Sequence, residues 1–196
     1  MASSFKYYIV FKPYGMLSQF SREGNAPTLA DLDFNFEKDI YPVGRLDADS
    51  EGLLLLTNDN RLKTSLLNPK NKHWRTYYVQ VEGDITGEAC VALSNGVDVK
   101  IDGKPYHTKR ARATLIDAPA LPERIPPIRV RKSIPDSWLS LSLTEGKNRQ
   151  VRRMTAAVGF PTLRLVRVAI GKLRMDHLRP GDVAGLSEAE IRKLNG

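Results

Sequence analysis

The sequence predicts an α+β fold, a sheet of mostly antiparallel strands with a few scattered helices. Three observations carry this. Residues 107–116 and 138–143 alternate with period two, and in the second run Leu139, Leu141 and Leu143 face inward while Ser140 and Ser142 face out. Helical patterns are short and separated, with capping residues at 86 and 187 and stop signals at Gly96, Gly159 and Pro161. Many antiparallel-looking strand runs lie between turn residues, with helices scattered among them.

Taken in order, residues 7–12 read as a buried strand ended by the turn Lys12-Pro13-Tyr14-Gly15. A short helix is expected at 29–32 after Pro27-Thr28. The leucine run 53–56, with Thr57, is a strand. A helical piece at 61–67 is stopped by Asn68-Pro69. Residues 76–82 form a strand, Thr86 caps a helix ending at Asn95-Gly96, and 97–101 is a strand closed by the tight turn Asp102-Gly103. Residues 107–116 then form one strand. Residues 118–135, with five prolines, form an excursion whose order the sequence leaves open. Strand 138–143, a helix over 148–158 and strand 162–170 follow. A terminal helix over 187–194 carries the capping box Ser187 and Glu190. There is no internal repeat, and the whole chain, 1–196, is expected to be one domain of two closely packed halves.

The most informative stretch is Gly44-Arg45-Leu46-Asp47, followed by Ala48-Asp49-Ser50-Glu51-Gly52 and the leucine run. One carboxylate stands between an arginine and a glycine-punctuated turn that leads into a very apolar strand. Such a turn holds a single reactive side chain in a fixed direction. Asp47 is therefore the candidate reactive group. Three plainer readings compete. An Asp near a Gly is commonly a turn residue. Residues 47–52 imitate the start of a calcium loop, but the twelfth position is Asn58 in place of a bidentate Glu. Arg45 and Asp47 could also form a surface ion pair worth about 0–1 kcal/mol.

Bulk properties narrow the field. Thirty Lys and Arg against twenty-two Asp and Glu give a net charge of +8, a bias toward a polyanionic partner. A single cysteine, Cys90, rules out an intramolecular disulfide, suits a reducing cytoplasm, and sits among apolar neighbours that mark a core position. The N-terminus lacks a signal-peptide pattern, and no run approaches the roughly twenty apolar residues of a membrane span. His73, His107 and His177 lack metal-ligand spacing. No phosphate-binding glycine loop and no Gly-x-Ser-x-Gly elbow occurs. A cofactor-free enzyme or a binding module remains.

Residues 145–174 hold eight Lys or Arg and one acidic residue. At 100° per residue Arg149, Arg152 and Arg153 share one side of the expected helix, opposite Val151, Met154 and Val158. Arg164 and Arg167 continue the positive run. Like charges on one face call for a counter-charge, either a phosphate backbone or a carboxylate such as Asp47. Tyr77 and Tyr78 adjoin on a strand and so point to opposite faces; one is core and the other is free to stack on a base.

These segments together resemble the pseudouridine synthases, in particular the RsuA branch that modifies ribosomal RNA. Residues 44–47 with 52–58 resemble its catalytic motif, and Arg75-Thr76-Tyr77-Tyr78-Val79 its Lys-x-Tyr strand, with Arg75 where Lys is common. Glu145-Gly146-Lys147-Asn148-Arg149-Gln150-Val151-Arg152-Arg153-Met154 resembles its arginine motif. The resemblance spans residues 6–174, and the segment 126–135 is similar to a member acting on 23S rRNA. It implies the branch's catalytic fold, a mixed, largely antiparallel sheet with flanking helices and a central active-site cleft. The S4 RNA-binding domain that precedes this fold in most members is not expected ahead of a first strand at residue 7.

The resemblance further implies that the chain isomerises a uridine of 23S rRNA to pseudouridine after flipping the base out. Asp47 would be catalytic, Arg152 its ion-pair partner, and Tyr77 the residue stacking on the base. Arg45 would reach into the RNA near the vacated position. Lys147, Arg149 and Arg153 on the basic helix, and Arg129, Arg131 and Lys132 in the proline-rich excursion, would contact the RNA. No metal or cofactor is implied, since uracil is both leaving group and returning nucleophile. The expected partner is rRNA, with no membrane and a monomeric state. The competing reading is a non-enzymatic rRNA-binding protein, for which a carboxylate among arginines is a desolvation cost with no return.

Overall fold

The computed structural model describes residues 5–128, 134–175 and 177–195. The chain divides into two compact units, Met1–His73 with Arg167–Gly196, and Trp74–Val166. The chain passes between units at His73–Trp74 and again, inside one strand, at Val166–Arg167.

In the first unit, β1 (Tyr7–Lys12) pairs antiparallel with β3 (Glu51–Thr57), in the register Tyr8↔Leu56, Val10↔Leu54 and Lys12↔Gly52. The short strand β2 (Tyr41–Pro42) pairs with the end of β3, and β11 (Val183–Gly185) pairs with the outer edge of β1. All seven residues of β3 are buried, which explains four consecutive leucines where a half-exposed strand would alternate. Val10, Leu54 and Leu56 pack on one side with Met16, Leu29, Leu32 and Ile40, while Ile9, Phe11, Leu53 and Leu55 are buried on the other. Helix α1 (Asn60–Leu67) is capped by the Asp59 carboxylate, which accepts from Arg61 N and Leu62 N. The terminal helix α4 (Glu188–Arg192) carries the capping box read from the sequence.

In the second unit, β4 (Arg75–Glu82), β8 (Asp136–Leu143) and β7 (Arg112–Ile116) form an antiparallel sheet with β8 in the middle. Val79, Val81, Leu139, Leu141 and Leu143 face a core completed by Leu93 and Cys90 of α2 (Gly87–Asn95), Val151 and Met154 of α3 (Gln150–Ala157), and Leu165 of β9 (Thr162–Ile170). A separate hairpin joins β5 (Asp98–Ile101) to β6 (Lys104–His107) through Asp102-Gly103. A two-residue strand β10 (Leu173–Arg174) turns back on the end of β9 within the first unit.

Several expectations are corrected. Residues 107–116 are not one strand: β6 ends at His107 and β7 begins at Arg112. Between them Thr108 N donates to Val97 O at 3.0 Å, Thr108 Oγ1 accepts from Val97 N at 2.9 Å, and Ala111 N donates to Ser94 O at 3.0 Å. The chain there is tied to the end of α2, and these bonds override its alternation. The arginine-rich helix begins at Gln150 and not near 148, because Arg149 sits left-handed at φ 50° and ψ 33°. The strands β2, β6, β10 and β11 carry too few alternating residues to be read from sequence.

One glycine constrains the β3 end. Gly52 has φ +103°, and a Cβ there would lie 2.3 Å from the Arg167 carbonyl oxygen. Gly52→Ala is expected to lose at least about 2 kcal/mol of stability, lowering Tm by about 4–8 °C for a chain of this size. Calorimetry of the variant beside wild type checks it, and an unchanged Tm refutes the close approach.

Candidate active site

The turn around Asp47 is held on both sides of that residue. On the N-terminal side the buried Ser18 hydroxyl accepts from Leu46 N at 3.0 Å and donates to Leu46 O at 2.9 Å. On the C-terminal side the Ala48 carbonyl accepts from Gly15 N at 2.7 Å and from the Lys12 ammonium at 3.3 Å. Ser50 N closes the turn onto Asp47 O at 3.0 Å. Leu46 is buried at 7% exposure and Ser50 at 1%, while Asp47 is half-buried and Arg45 is exposed. The backbone of Asp47 is therefore fixed, and its side chain has partial access to solvent.

Lys12 is the unusual member of this arrangement. It is wholly buried at the end of an apolar strand, and its ammonium also donates to Met16 O at 2.7 Å and Pro13 O at 2.9 Å. Burial pushes it down from 10.5 to about 8, against the opposing pull of the Glu51, Asp49 and Asp47 carboxylates; the Arg167 guanidinium adds to the lowering. Lys12 thus links the turn after β1 to the turn that carries Asp47. The sequence showed only a lysine before Pro13; the telling signal was a charge ending an otherwise apolar strand. Ser18 had no such signal.

The second unit holds the other assigned residues. Tyr77 is half-buried and packs against the core on the same face as Val79 and Val81, with Tyr78, also half-buried, on the opposite face; the expected split into one core ring and one free ring does not hold, and the tyrosine assigned to stacking is the core-facing one. Ahead of α3, the buried Glu145 carboxyl accepts from Gln150 Nε2 at 2.6 Å, from Lys109 N at 2.9 Å and from the Tyr106 hydroxyl at 2.5 Å. The hydrogen bond to Glu145, with burial, raises the Tyr106 phenol to about 12. Gln150 also receives Lys147 N on its Oε1 at 3.0 Å. This network shapes residues 145–150 and places Lys147 and Arg149 at the surface. Arg152 Nη1 donates to Thr162 O at 3.3 Å, and Arg153 donates to Lys100 O at 2.8 Å and to Asn148.

Of the residues singled out by sequence, Asp47 and Arg45 thus stand on one anchored turn of the first unit. Tyr77, Lys147, Arg149, Arg152 and Arg153 all belong to the second unit. Arg149 precedes the helix in a left-handed conformation, so the three-arginine helical face is reduced to Arg152 and Arg153. Arg164 and Arg167 do not extend a surface stripe: they are buried and donate to Pro122 O at 2.9 Å and Leu53 O at 2.7 Å respectively. Arg129, Arg131 and Lys132 lie outside the described residues. Cys90 is buried, as its neighbours indicated, and burial raises its thiol. Among the described residues no group of three or more His, Cys, Asp or Glu is placed to hold a metal ion, and Glu51 is buried within β3. No helix of the described residues is long and apolar enough to cross a membrane.

The chain is similar to known proteins over most of its length. Residues 6–157 match the family described as RNA pseudouridylate synthase. The chain is 54% identical over 170 residues to the ribosomal large subunit pseudouridine synthase E of Xanthomonas axonopodis pv. citri (strain 306), covering 86% of this chain and 87% of that one. It is 49% identical to the protein of the same name from Vibrio parahaemolyticus serotype O3:K6 (strain RIMD 2210633), covering 90% of this chain and 71% of the relative. A crystal structure of a pseudouridylate synthase superposes with a TM-score of 0.79 at 27% identity, covering 97% of this chain and 74% of that chain.

The buried lysine gives a pH signature with a definite sign. Below about pH 8 Lys12 is protonated in both folded and unfolded chains, and its burial cost is fully present. Between about 8 and 10.5 the unfolded chain holds the proton and the folded chain does not, so stability rises with pH in that window. Subtracting the denaturant stability of Lys12→Met from that of wild type is expected to leave this rise. Parallel curves would show that Lys12 titrates normally.

Proposed function

Since this chain belongs to the RNA pseudouridylate synthase family and is an RNA pseudouridine synthase, we propose that it isomerises a specific uridine of 23S rRNA, the RNA of the large ribosomal subunit, with Asp47 as the catalytic carboxylate. The observation that carries the role of Asp47 is the fixation of its backbone on both sides by Ser18, Lys12, Gly15 and Ser50. The large-subunit assignment rests on the names of the relatives and on similarity over most of each chain.

The reaction breaks the bond from uracil N1 to C1′ of the ribose, turns the uracil, and joins its C5 to C1′. The hydrogen of C5 leaves as a proton and N1 gains one, so the product is an isomer of the substrate. Cleavage at C1′ has the demand of glycoside chemistry, a carboxylate held beside an electron-poor sugar carbon. Asp47 meets it either by attacking C1′ or by removing the 2′ proton. Tyr77 is assigned to stack on the uracil, and Arg45 to occupy RNA near the position the base has left. Arg152 is assigned the role of ion-pair partner to Asp47, from its place in the arginine motif. Extrusion of the base costs a few kcal/mol, which contacts to the RNA backbone must offset. Lys147, Arg149 and Arg153 are assigned to that task, as are Arg129, Arg131 and Lys132.

A pure RNA binder would gain nothing from a turn built to present one half-buried Asp. The test is tritium release from 23S rRNA carrying uridine labelled at C5, with wild type beside Asp47→Asn. Wild type is expected to release the label, and the variant to release none while retaining RNA binding and fold. Release by Asp47→Asn at about a tenth of the wild-type rate or more would remove Asp47 as nucleophile or base, since a catalytic group of this kind is worth orders of magnitude.

A further inference from the structure

The cations of the second unit are not confined to the arginine motif. The Glu145 carboxyl joins three segments: the β5–β6 hairpin through the Tyr106 hydroxyl, the turn after it through Lys109 N, and the start of α3 through Gln150. Arg153 pins the hairpin a second time through Lys100 O at 2.8 Å, and the Lys147 ammonium lies 5.2 Å from the centre of the Tyr106 ring. Beside Lys147 and Arg149 this arrangement leaves Lys100, Lys104, Lys109 and Arg110 exposed.

None of the side chains of Lys100, Lys104, Lys109 and Arg110 has an acidic partner among the described residues. The acidic residues of the hairpin are Asp98, which pairs with His107 at 2.8 Å, and Asp102 in its turn. The apolar side chains there are turned inward: Val99 is buried, and Ile101 packs against the core. A docking surface for protein needs an apolar or aromatic centre. A positive surface without one, built on a braced backbone, suits a chain of phosphates.

We propose that the β5–β6 hairpin and the turn that follows it, through Lys104, Lys109 and Arg110, extend the Lys147–Arg153 segment into one surface that binds the sugar–phosphate backbone of the RNA substrate; Lys104 shares the hairpin face of Tyr106, the ring beside Lys147, whereas Lys100 pairs with Pro105 on the other face. The identity of that RNA rests on the proposed function above; the surface itself does not depend on which uridine reacts. The hairpin contributes affinity and register without touching the reacting base, since phosphate contacts position an RNA and carry no sequence information.

The test compares wild type, the neutral variant K104Q/K109Q/R110Q and the charge-preserving variant K104R/K109R/R110K. Filter binding to a 23S rRNA transcript is measured across roughly 50 to 200 mM salt, with tritium release under saturating enzyme alongside. The neutral variant is expected to bind at least about tenfold more weakly at the low end. Its log affinity against log salt should be shallower by about 2–3, at about 0.7–0.9 for each of three lost phosphate contacts. Its conversion rate at saturation should match wild type, and the charge-preserving variant should restore both affinity and slope. A neutral variant with wild-type affinity and slope overturns the proposal. So does a charge-preserving variant as weak as the neutral one, which would make the loss structural. So does a neutral variant that loses binding to polyglutamate alone, which would assign the surface to an acidic protein. Wild type that converts no uridine, with the neutral variant still showing the shallower slope, would overturn the proposed function and leave the RNA surface standing.

Discussion

The anchoring of Asp47 depends on one desolvated ammonium. Lys12 is charged over most of the physiological range, yet it is wholly buried and its Nζ meets three backbone carbonyls. Two of these carbonyls, of Pro13 and Met16, belong to the turn leaving β1; the third, of Ala48, follows Asp47. Isolating an ammonium from water is costly, and here carbonyl dipoles and three nearby carboxylates offset part of that cost without cancelling it. What results is direction. A carbonyl oxygen held by an ammonium and by Gly15 N cannot rotate without leaving a charge unsatisfied, so the peptide after Asp47 has one orientation. Ser18 does the same for the peptide before it, with a hydroxyl that both gives and accepts.

The second unit solves a similar problem with the opposite charge. Glu145 is a buried carboxyl ringed by donors from three segments, as Lys12 is a buried cation ringed by acceptors from two. Neither group need touch the substrate to matter. Each converts separate stretches of chain into one rigid surface: a turn presenting a carboxylate in the first unit, and a hairpin and helix start presenting cations in the second. Buried charges of this kind add little to net stability, because desolvation consumes much of what the contacts return. Their effect is to specify geometry, which the catalytic carboxylate and the phosphate contacts proposed above would both require.

This division explains what was legible in the sequence. β1 and β9 were read to the residue because each is a run of strand formers between clear stops. The capped helices α2 and α4 were legible because Thr86 and Ser187 sit where an N-terminus needs an acceptor. The break after His107 was not, because a buried threonine bonding to residue 97 looks in sequence like one more alternating position. Asp47 stood out through its flanking glycines and leucines. Lys12 and Ser18 as scaffolds did not, since their partners are backbone atoms, and a backbone atom has no residue type to recognise; Glu145 did not, since its partners Lys109 and Tyr106 lie 36 and 39 residues away in sequence.

Arg149 shows the same limit from the other side. Helical periodicity grouped it with Arg152 and Arg153, and each of the three is positively charged. The helix begins one residue later because the Glu145–Gln150–Lys147 bonds fold the chain into a turn, and the residue closing that turn must take positive φ. A glycine would do so at less conformational cost, yet an arginine stands there, exposed and beside Lys147. Tolerating a left-handed non-glycine residue costs about 1–2 kcal/mol. A strained position of that size, filled by a long cation, is best explained by what the side chain reaches. It stands on the surface where Lys147 and the β5–β6 hairpin also expose their positive charge, the surface proposed above to meet an RNA backbone.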